Sequence, residues 1–238
     1  MPAPWQDVLE SFRRAVGPPG LELVTPFRVG WFDAVVDADL RLGTGSGDRR
    51  LGLVVGSTRT LWPAFLAWLA ADPARLDLED PLDRHVEGVV ARAVAVIPQP
   101  TTVRFAHHGP PWLAIQRVAE VAGLARRSPS RLAVHPVHGP WIALRAAVVV
   151  EIEGPAGNPL PCPDPCAGCT ATCRERLAAA EAATAARGGR GAWREWLAVR
   201  DACPVGREHR SDDDALRSHA LSDRDLLRRL VTTTAGDP

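Results

Sequence analysis

The sequence contains no lysine and no tyrosine, so arginine supplies all of its permanent basic charge. The absence of lysine excludes a Walker-type phosphate loop, a Schiff-base lysine and a lysine general base. Arginine and acidic residues balance at 28 each, and no segment is strongly basic. Nucleic acid is therefore not expected as a partner.

Long hydrophobic runs are also missing. The apolar run at residues 143–150, for example, is interrupted by Arg145 and is far too short to span a bilayer. The N-terminus lacks the charged and then apolar residues of a leader peptide. We therefore expect a cytoplasmic protein with no membrane partner, and the sequence leaves both a monomer and a homodimer open.

The distribution of helical and strand patterns predicts the α+β class. Amphipathic helical segments and short apolar strands follow one another without a regular βα repeat. A Pro- and Gly-rich break predicts three parts: a core at residues 1–153, a cysteine-rich segment at 154–174, and a helical part at 175–238 that completes the same domain. Glycine-rich residues 43–48 precede a strand and not a helix, so they predict a flexible connection and not a dinucleotide-binding turn.

Cysteine is scarce in number but concentrated in place. Cys162, Cys166, Cys169 and Cys173 lie within twelve residues, and Cys203 follows later, directly before a proline. Thiolates at such spacing can converge on an iron–sulfur cluster or on zinc, and in a cytoplasmic protein this chemistry is favoured over structural disulfides. We predict a metal centre formed by these cysteines; the alternative is a group of ordinary or oxidisable loop thiols.

The segment from His135 to Arg145 joins a polar turn to an apolar strand. Trp141, Ala143 and Arg145 alternate with apolar neighbours, so they share one face of an extended segment. A charge at the mouth of a core strand is costly unless it meets an anion. The alternative is an arginine that reaches solvent or pairs with a carboxylate.

The pattern H-P-x-x-G-x-W-x-A-x-R at residues 135–145 resembles the cobalamin-processing family of methylmalonic aciduria and homocystinuria type C, the cobalamin C family. Further matches follow in the family's order: P-F-R-V-G-W-F at residues 26–32, L-V-V-G-S-T at 53–58, D-P-L-D at 80–83, V-A-G at 121–123, and W-R-E-W with R-D-A within 193–202. The cysteine cluster is not part of this family's pattern.

The resemblance implies a nitroreductase-like, flavin-reductase-type fold: a mixed sheet flanked by helices, here with a cysteine-rich insertion. It implies that cobalamin is bound with its lower base displaced and loses its upper axial ligand. Reduced flavin (FMN or FAD) would supply electrons for decyanation, and a glutathione thiolate would remove an alkyl group. Downstream cobalamin-dependent proteins would receive the product.

The resemblance also assigns roles to individual residues. Arg145 and Arg200 match arginines that hold the carboxylates of glutathione. Ser57, Gly139 and Trp141 are expected in the wall of the cobalamin cavity.

Two further positions are expected near cobalamin. His135 belongs to the family pattern, and Glu120 stands where the family has a histidine. Two other functions remain open: a cysteine-cluster electron-transfer reductase that acts on cobalamin, and a non-catalytic cobalamin carrier.

Overall fold

The computed structural model describes residues 4–159 and 161–234. Its helices are α1 (Pro4–Val16), α2 (Val29–Asp33), α3 (Leu61–Ala70), α4 (Pro81–Ala95), α5 (Ile115–Val121), α6 (Cys173–Gly191), α7 (Trp193–Asp201), α8 (Asp213–Leu221) and α9 (Arg224–Thr234). Its strands are β1 (Leu23–Arg28), β2 (Arg50–Ser57), β3 (Thr101–Phe105), β4 (Arg126–Arg127), β5 (Ala133–Val134) and β6 (Ala143–Glu153).

The main sheet has four strands in the order β1-β2-β6-β3, and β4 pairs with β5 in a small separate ladder. The α+β class is confirmed. The prediction of a mixed sheet is wrong, because every pairing in the main sheet is antiparallel. The strands β2 and β6 are apolar on both faces, a pattern that also occurs in parallel sheets, so the pattern could not reveal strand direction.

Helices cover both faces of this sheet, which is why its central strands are apolar throughout. On one face Phe12 of α1 and Val90 of α4 pack against Leu53. On the other face Val118 of α5 packs with Phe27 and the outer side of β2. Each large side chain buried in this way contributes about 1.5–3 kcal/mol.

The C-terminal part packs onto α3. Leu227 and Val231 of α9 are buried with Phe65 and Leu69 of α3. The division of the chain into three parts stays a prediction. In the described ranges, no helix is both long enough and apolar enough to cross a membrane.

The apolar patterns of residues 21–32 and 93–97 each predict a strand, yet both segments are partly helical. Residues 21–32 form β1 only as far as Arg28, and α2 follows and buries Phe32. Residues 93–97 begin as the end of α4. Short apolar runs do not distinguish a buried strand from a helical turn, so tertiary packing decides the outcome.

The glycine-rich loop is held in place by two buried carboxylates. Asp33 accepts hydrogen bonds from the backbone N–H groups of Leu42, Gly43 and Gly45 at 2.9–3.1 Å. Asp48 accepts one from the Thr44 N–H at 3.1 Å. The loop is therefore anchored, in contrast to the predicted flexible connection.

Asp48 also binds Arg50, and this pair makes acid stability testable. The Arg50 guanidinium donates to Asp48 at 2.7 Å and lowers the pKa of that carboxyl to about 2. A depressed carboxyl pKa stabilises the fold above the unfolded pKa, and the stabilisation is lost as pH falls from about 4 to 2.

We expect Asp48→Asn to lower the free energy of unfolding at pH 7 by about 2 kcal/mol. The variant should also lose less stability between pH 4 and pH 2 than the unsubstituted protein. Denaturant unfolding at both pH values measures this, with exposed Asp39→Asn as the control. Parallel pH profiles for the two proteins would contradict the assignment.

Candidate functional site

A cavity of about 280 Å³ opens at the edge of the sheet where β2 ends and β6 begins. Ser57 pairs with Ala143 across the antiparallel ladder, so the last residue of one strand lies beside the first residue of the other. The beginning of α4 and residues from α3, α7, α8 and α9 complete the wall. The ends of β2 and β6 thus supply a fixed floor, and residues from five helices surround it.

Arg145 enters this cavity from a β-bulge. The register of β6 against β2 shifts by one residue at this point, so Leu144 and Ala146 oppose consecutive residues of β2. A bulge redirects a side chain out of the regular alternation, and bulges are frequent beside active sites. The Arg145 side chain is only 12% exposed, with Ser57 Oγ at 3.3 Å and an Asp83 carboxylate oxygen at 4.0 Å.

Arg200, near the end of α7, brings a second guanidinium into the same cavity. It donates to the Pro140 carbonyl at 3.4 Å. Across the described residues, no carboxylate lies within 4.0 Å of it. Burial lowers the pKa of Arg200 and of Arg145, and for Arg145 the charge of Arg200 adds to the effect while Asp83 opposes it. The cavity therefore holds more positive charge than its own residues compensate.

Other groups shape the cavity for a ligand that is partly polar and partly apolar. His219 of α8 is accessible at its mouth, and the surrounding protein lowers its pKa, with Arg145 and Arg200 adding to the shift. The indole N–H of Trp141 is buried and has no acceptor within the described structure. Trp62 adds an apolar surface. A bound acceptor would satisfy both the guanidinium and the indole donors.

The structure brings four of the predicted residues together in this cavity, namely Ser57, Trp141, Arg145 and Arg200. The alternative that Arg145 pairs with a carboxylate is met in part, since an Asp83 oxygen lies 4.0 Å from its guanidinium, at the limit of an ion pair.

Gly139 and His135 lie outside the cavity wall. Gly139 has a φ of 58°, and a Cβ there would lie 1.9 Å from the Val205 carbonyl oxygen, so close backbone packing explains the glycine. His135 Nδ1 accepts the N–H groups of Val137 and His138 at 3.0 and 3.1 Å, which makes it a turn residue. Both residues support the turn before Trp141 and do not face the cavity.

Glu120 also lies away from the cavity. It belongs to α5, which covers the opposite face of the sheet from α4. Its carboxylate binds Arg117 at 2.5 Å and Arg127 at 3.5 Å. Position in the sequence motif did not show on which face of the sheet this residue would lie.

Sequence reasoning did not identify several wall residues. Asp83 lies in the D-P-L-D match, so that motif carried a usable signal, whereas His219 has no local sequence signal. Two arginines of α9 differ in position. Arg224 lines the cavity, whereas Arg228 binds Asp77 and a neighbouring acid on its own helix.

The five cysteines are all free thiols. Within residues 4–159 and 161–234, three potential metal ligands lie within 4.8 Å of one another at Glu87, His107 and His108. No three cysteine sulfurs in these ranges approach so closely. Glu87 lies 2.9 and 2.8 Å from the two histidine Nε2 atoms, so this set is already joined by hydrogen bonds. The predicted cysteine metal centre stays a prediction.

The fold and site together define an α+β protein with a cationic, half-open ligand cavity. No protein-family model matches the chain. It is 27% identical over 221 residues to a Danio rerio protein named cyanocobalamin reductase / alkylcobalamin dealkylase. The alignment covers 84% of this chain and 83% of that protein. The solved structure of a C. elegans B12-trafficking protein, CblC, a human MMACHC homologue, matches with a TM-score of 0.72 at 16% identity and covers 94% of this chain and 97% of the other. The resemblance to the cobalamin C family is confirmed.

The excess charge in the cavity predicts an unusual effect on stability. Arg145→Met keeps most of the side-chain volume and removes a poorly compensated buried charge, so the free energy of unfolding should rise by about 1–2 kcal/mol. The same exchange at Arg50, which binds Asp48 and Glu151, should lower it by about 2 kcal/mol. Denaturant unfolding without added ligand measures both. Equal destabilisation by the two exchanges would show that the Arg145 charge is already compensated.

Proposed function

We propose that the chain binds cobalamin and removes its upper axial ligand, acting as a cobalamin reductase and dealkylase. The observation that carries this proposal is the convergence of Arg145 and Arg200, both short of acceptors, in one cavity of a fold shared with CblC. Similarity to the Danio rerio enzyme supports the class of reaction.

The dimensions of the cavity indicate how cobalamin would fit. A volume of about 280 Å³ is at the lower limit for a drug-sized ligand, and a corrinoid is much larger. The cavity therefore fits the upper axial ligand and a co-substrate, while the corrin ring covers the open side. Trp62 and Trp141 offer aromatic surface of the kind that packs against a large planar ring.

For alkylcobalamins, the proposed reaction is attack by a glutathione thiolate. The sulfur forms a bond to the alkyl carbon, the carbon–cobalt bond breaks, and its electron pair stays on cobalt, giving a thioether and cob(I)alamin. Arg145 and Arg200 hold the two glutathione carboxylates, because a guanidinium fork matches a carboxylate. The residues thereby orient the thiolate, which is a large part of the rate advantage in a two-substrate reaction.

For cyanocobalamin, the proposed reaction is a one-electron reduction. Cobalt passes from the +3 to the +2 state, and the ligand leaves as cyanide anion. We propose reduced flavin as the donor and a nitroreductase-like, flavin-reductase-type arrangement of the fold. The chain contributes by holding the corrin without its lower base, which makes cobalt easier to reduce.

A second candidate function is a non-catalytic carrier that delivers cobalamin to cobalamin-dependent proteins. The description of the C. elegans neighbour as a B12-trafficking protein favours it. Anaerobic addition of methylcobalamin with glutathione, and of cyanocobalamin with reduced flavin, separates the two functions. An enzyme converts the bound cobalamin, whereas a carrier leaves it unchanged.

We expect bound methylcobalamin to have its lower base displaced, as the resemblance to the cobalamin C family implies. Displacement shifts the visible absorption to shorter wavelength, and titration with protein measures it. An unchanged spectrum at saturating protein would contradict this mode of binding.

We expect Arg145→Ala and Arg200→Ala to slow glutathione-dependent dealkylation by roughly ten- to a hundredfold, since each removes a charge-assisted contact of about 1.5–3 kcal/mol. Cobalamin binding should change much less. The control is Arg228→Ala, whose side chain pairs with acids outside the cavity. Equal losses of binding and dealkylation would indicate a structural role for these arginines.

A further inference from the structure

The helices α6 and α7 form an antiparallel hairpin whose register brings two distant cysteines together. The Trp196 indole donates to Thr184 Oγ at 2.8 Å, which fixes the two helices against each other. Seven residues before Thr184 is Leu177, and seven residues after Trp196 is Cys203. Cys173 begins α6 one turn before Leu177, so it lies about 6 Å along the axis from the level of Cys203.

The hydrophobic contact between these helices supports that register. Leu177 and Ala180 of α6 and Val199 of α7 form one buried cluster. Cys203 continues directly from the end of α7, and its N–H donates to the Arg200 carbonyl at 3.0 Å. The hairpin thus supplies two thiols at one end from positions thirty residues apart in the chain.

The remaining two thiols of this group belong to a compact turn just before α6. The Cys169 N–H donates to the Cys166 carbonyl at 3.1 Å, and the Cys166 N–H donates to an Asp164 carboxylate oxygen at 2.9 Å. A C-x-x-C pair on such a turn can direct both sulfurs to one centre. With Cys173 following at four residues, the turn leads directly into the hairpin.

These four thiols lie within electrostatic range of one another. Cys166 interacts with Cys203, Cys169 and Cys173. Cys203 likewise interacts with Cys169 and Cys173. Four thiols from two segments therefore share one neighbourhood.

Cys162 differs from the other four. It is buried, and the charged groups that act on its thiol are Arg126, Asp164 and Glu120, in addition to the burial that raises its pKa. Arg126 belongs to β4, and Glu120 belongs to α5. Cys162 thus packs against the α5 side of the domain.

The spacing of the sulfurs distinguishes between metals. A zinc ion with bonds of about 2.3 Å holds its sulfur ligands roughly 3.8 Å apart. Among the residues that the structure describes, none of the cysteine sulfurs belongs to a set of three ligand atoms within 4.8 Å. A multi-iron cluster takes four thiolates at wider spacing. We propose that Cys166, Cys169, Cys173 and Cys203 bind an iron–sulfur cluster, and that Cys162 is not a ligand.

The cluster site adjoins the cavity. Cys203 is three residues from Arg200, which lines the cavity wall. Val205 and Gly206 pack on His138 and Gly139, immediately before Trp141. The proposal of a cluster site depends only on the cysteines. Only the role of that cluster as a one-electron carrier to cobalt rests on the proposed function.

The test is anaerobic reconstitution of the full chain with ferrous iron and sulfide. We expect about two to four iron ions per chain with an equal amount of sulfide, broad absorption near about 400 nm, and a paramagnetic signal on reduction. Less than about one iron per chain, or zinc bound without sulfide, would overturn the proposal.

Single substitutions test the ligand set. Cys166→Ser, Cys169→Ser, Cys173→Ser and Cys203→Ser should each lose most of the iron, whereas the matched control Cys162→Ser should retain it. Circular dichroism checks that each variant is folded, and the iron content of the unsubstituted protein decides the matter if one is not. Loss of iron in Cys162→Ser equal to that in the other variants would overturn the assignment. Because none of these measurements uses cobalamin, their failure is distinct from failure of the proposed function.

Discussion

Arg145 places a positive charge at the edge of the sheet, where little of its side chain meets water. A buried charge is tolerated only when other groups compensate it, and the partners available here are one hydroxyl and one carboxylate at the limit of an ion pair. Arg200 adds a second charge of the same sign nearby. The fold therefore carries an energetic cost that an anionic ligand removes, and a site with that property selects its ligand by charge before it selects by shape.

The rest of the domain keeps this costly arrangement in place. Both faces of the sheet are covered by helices, so β2 and β6 cannot relax away from the bulge that directs Arg145 into the cavity. At the opposite end of β2, the buried acids Asp33 and Asp48 anchor the preceding loop. The uncompensated positive charge thus lies at one end of the sheet, beside the bulge at Arg145.

The sequence predicted those parts of the site that are encoded locally. Alternation around Trp141 and Arg145, together with the motif matches, identified four residues of the wall. It could not assign Gly139, because a glycine needed for backbone packing against Val205 looks the same in sequence as one needed for a ligand.

Features that depend on contacts between distant segments also could not be predicted from the sequence. The position of Glu120 on α5 could not be read from the motif, because a motif does not specify the face of the sheet that a helix covers. His219 enters the cavity from a helix about seventy residues beyond the strand that forms the floor, so only tertiary packing reveals it. The anchoring of the glycine-rich loop could not be predicted for the same reason, because its two carboxylates hold the loop through tertiary hydrogen bonds that no sequence spacing reveals.

Two groups near the end of α7 require partners of opposite charge. Arg200 faces the cavity and requires an anion, while Cys203, three residues later, lies where the partial negative charge of the helix C-terminus disfavours a thiolate. Cys173 lies at the N-terminus of α6. One cationic centre shared by these thiols would neutralise them and order the Pro- and Gly-rich segment before α6. A ligand in the cavity and a cluster beside it would then stabilise the same helix from two sides, which couples the two sites through α7.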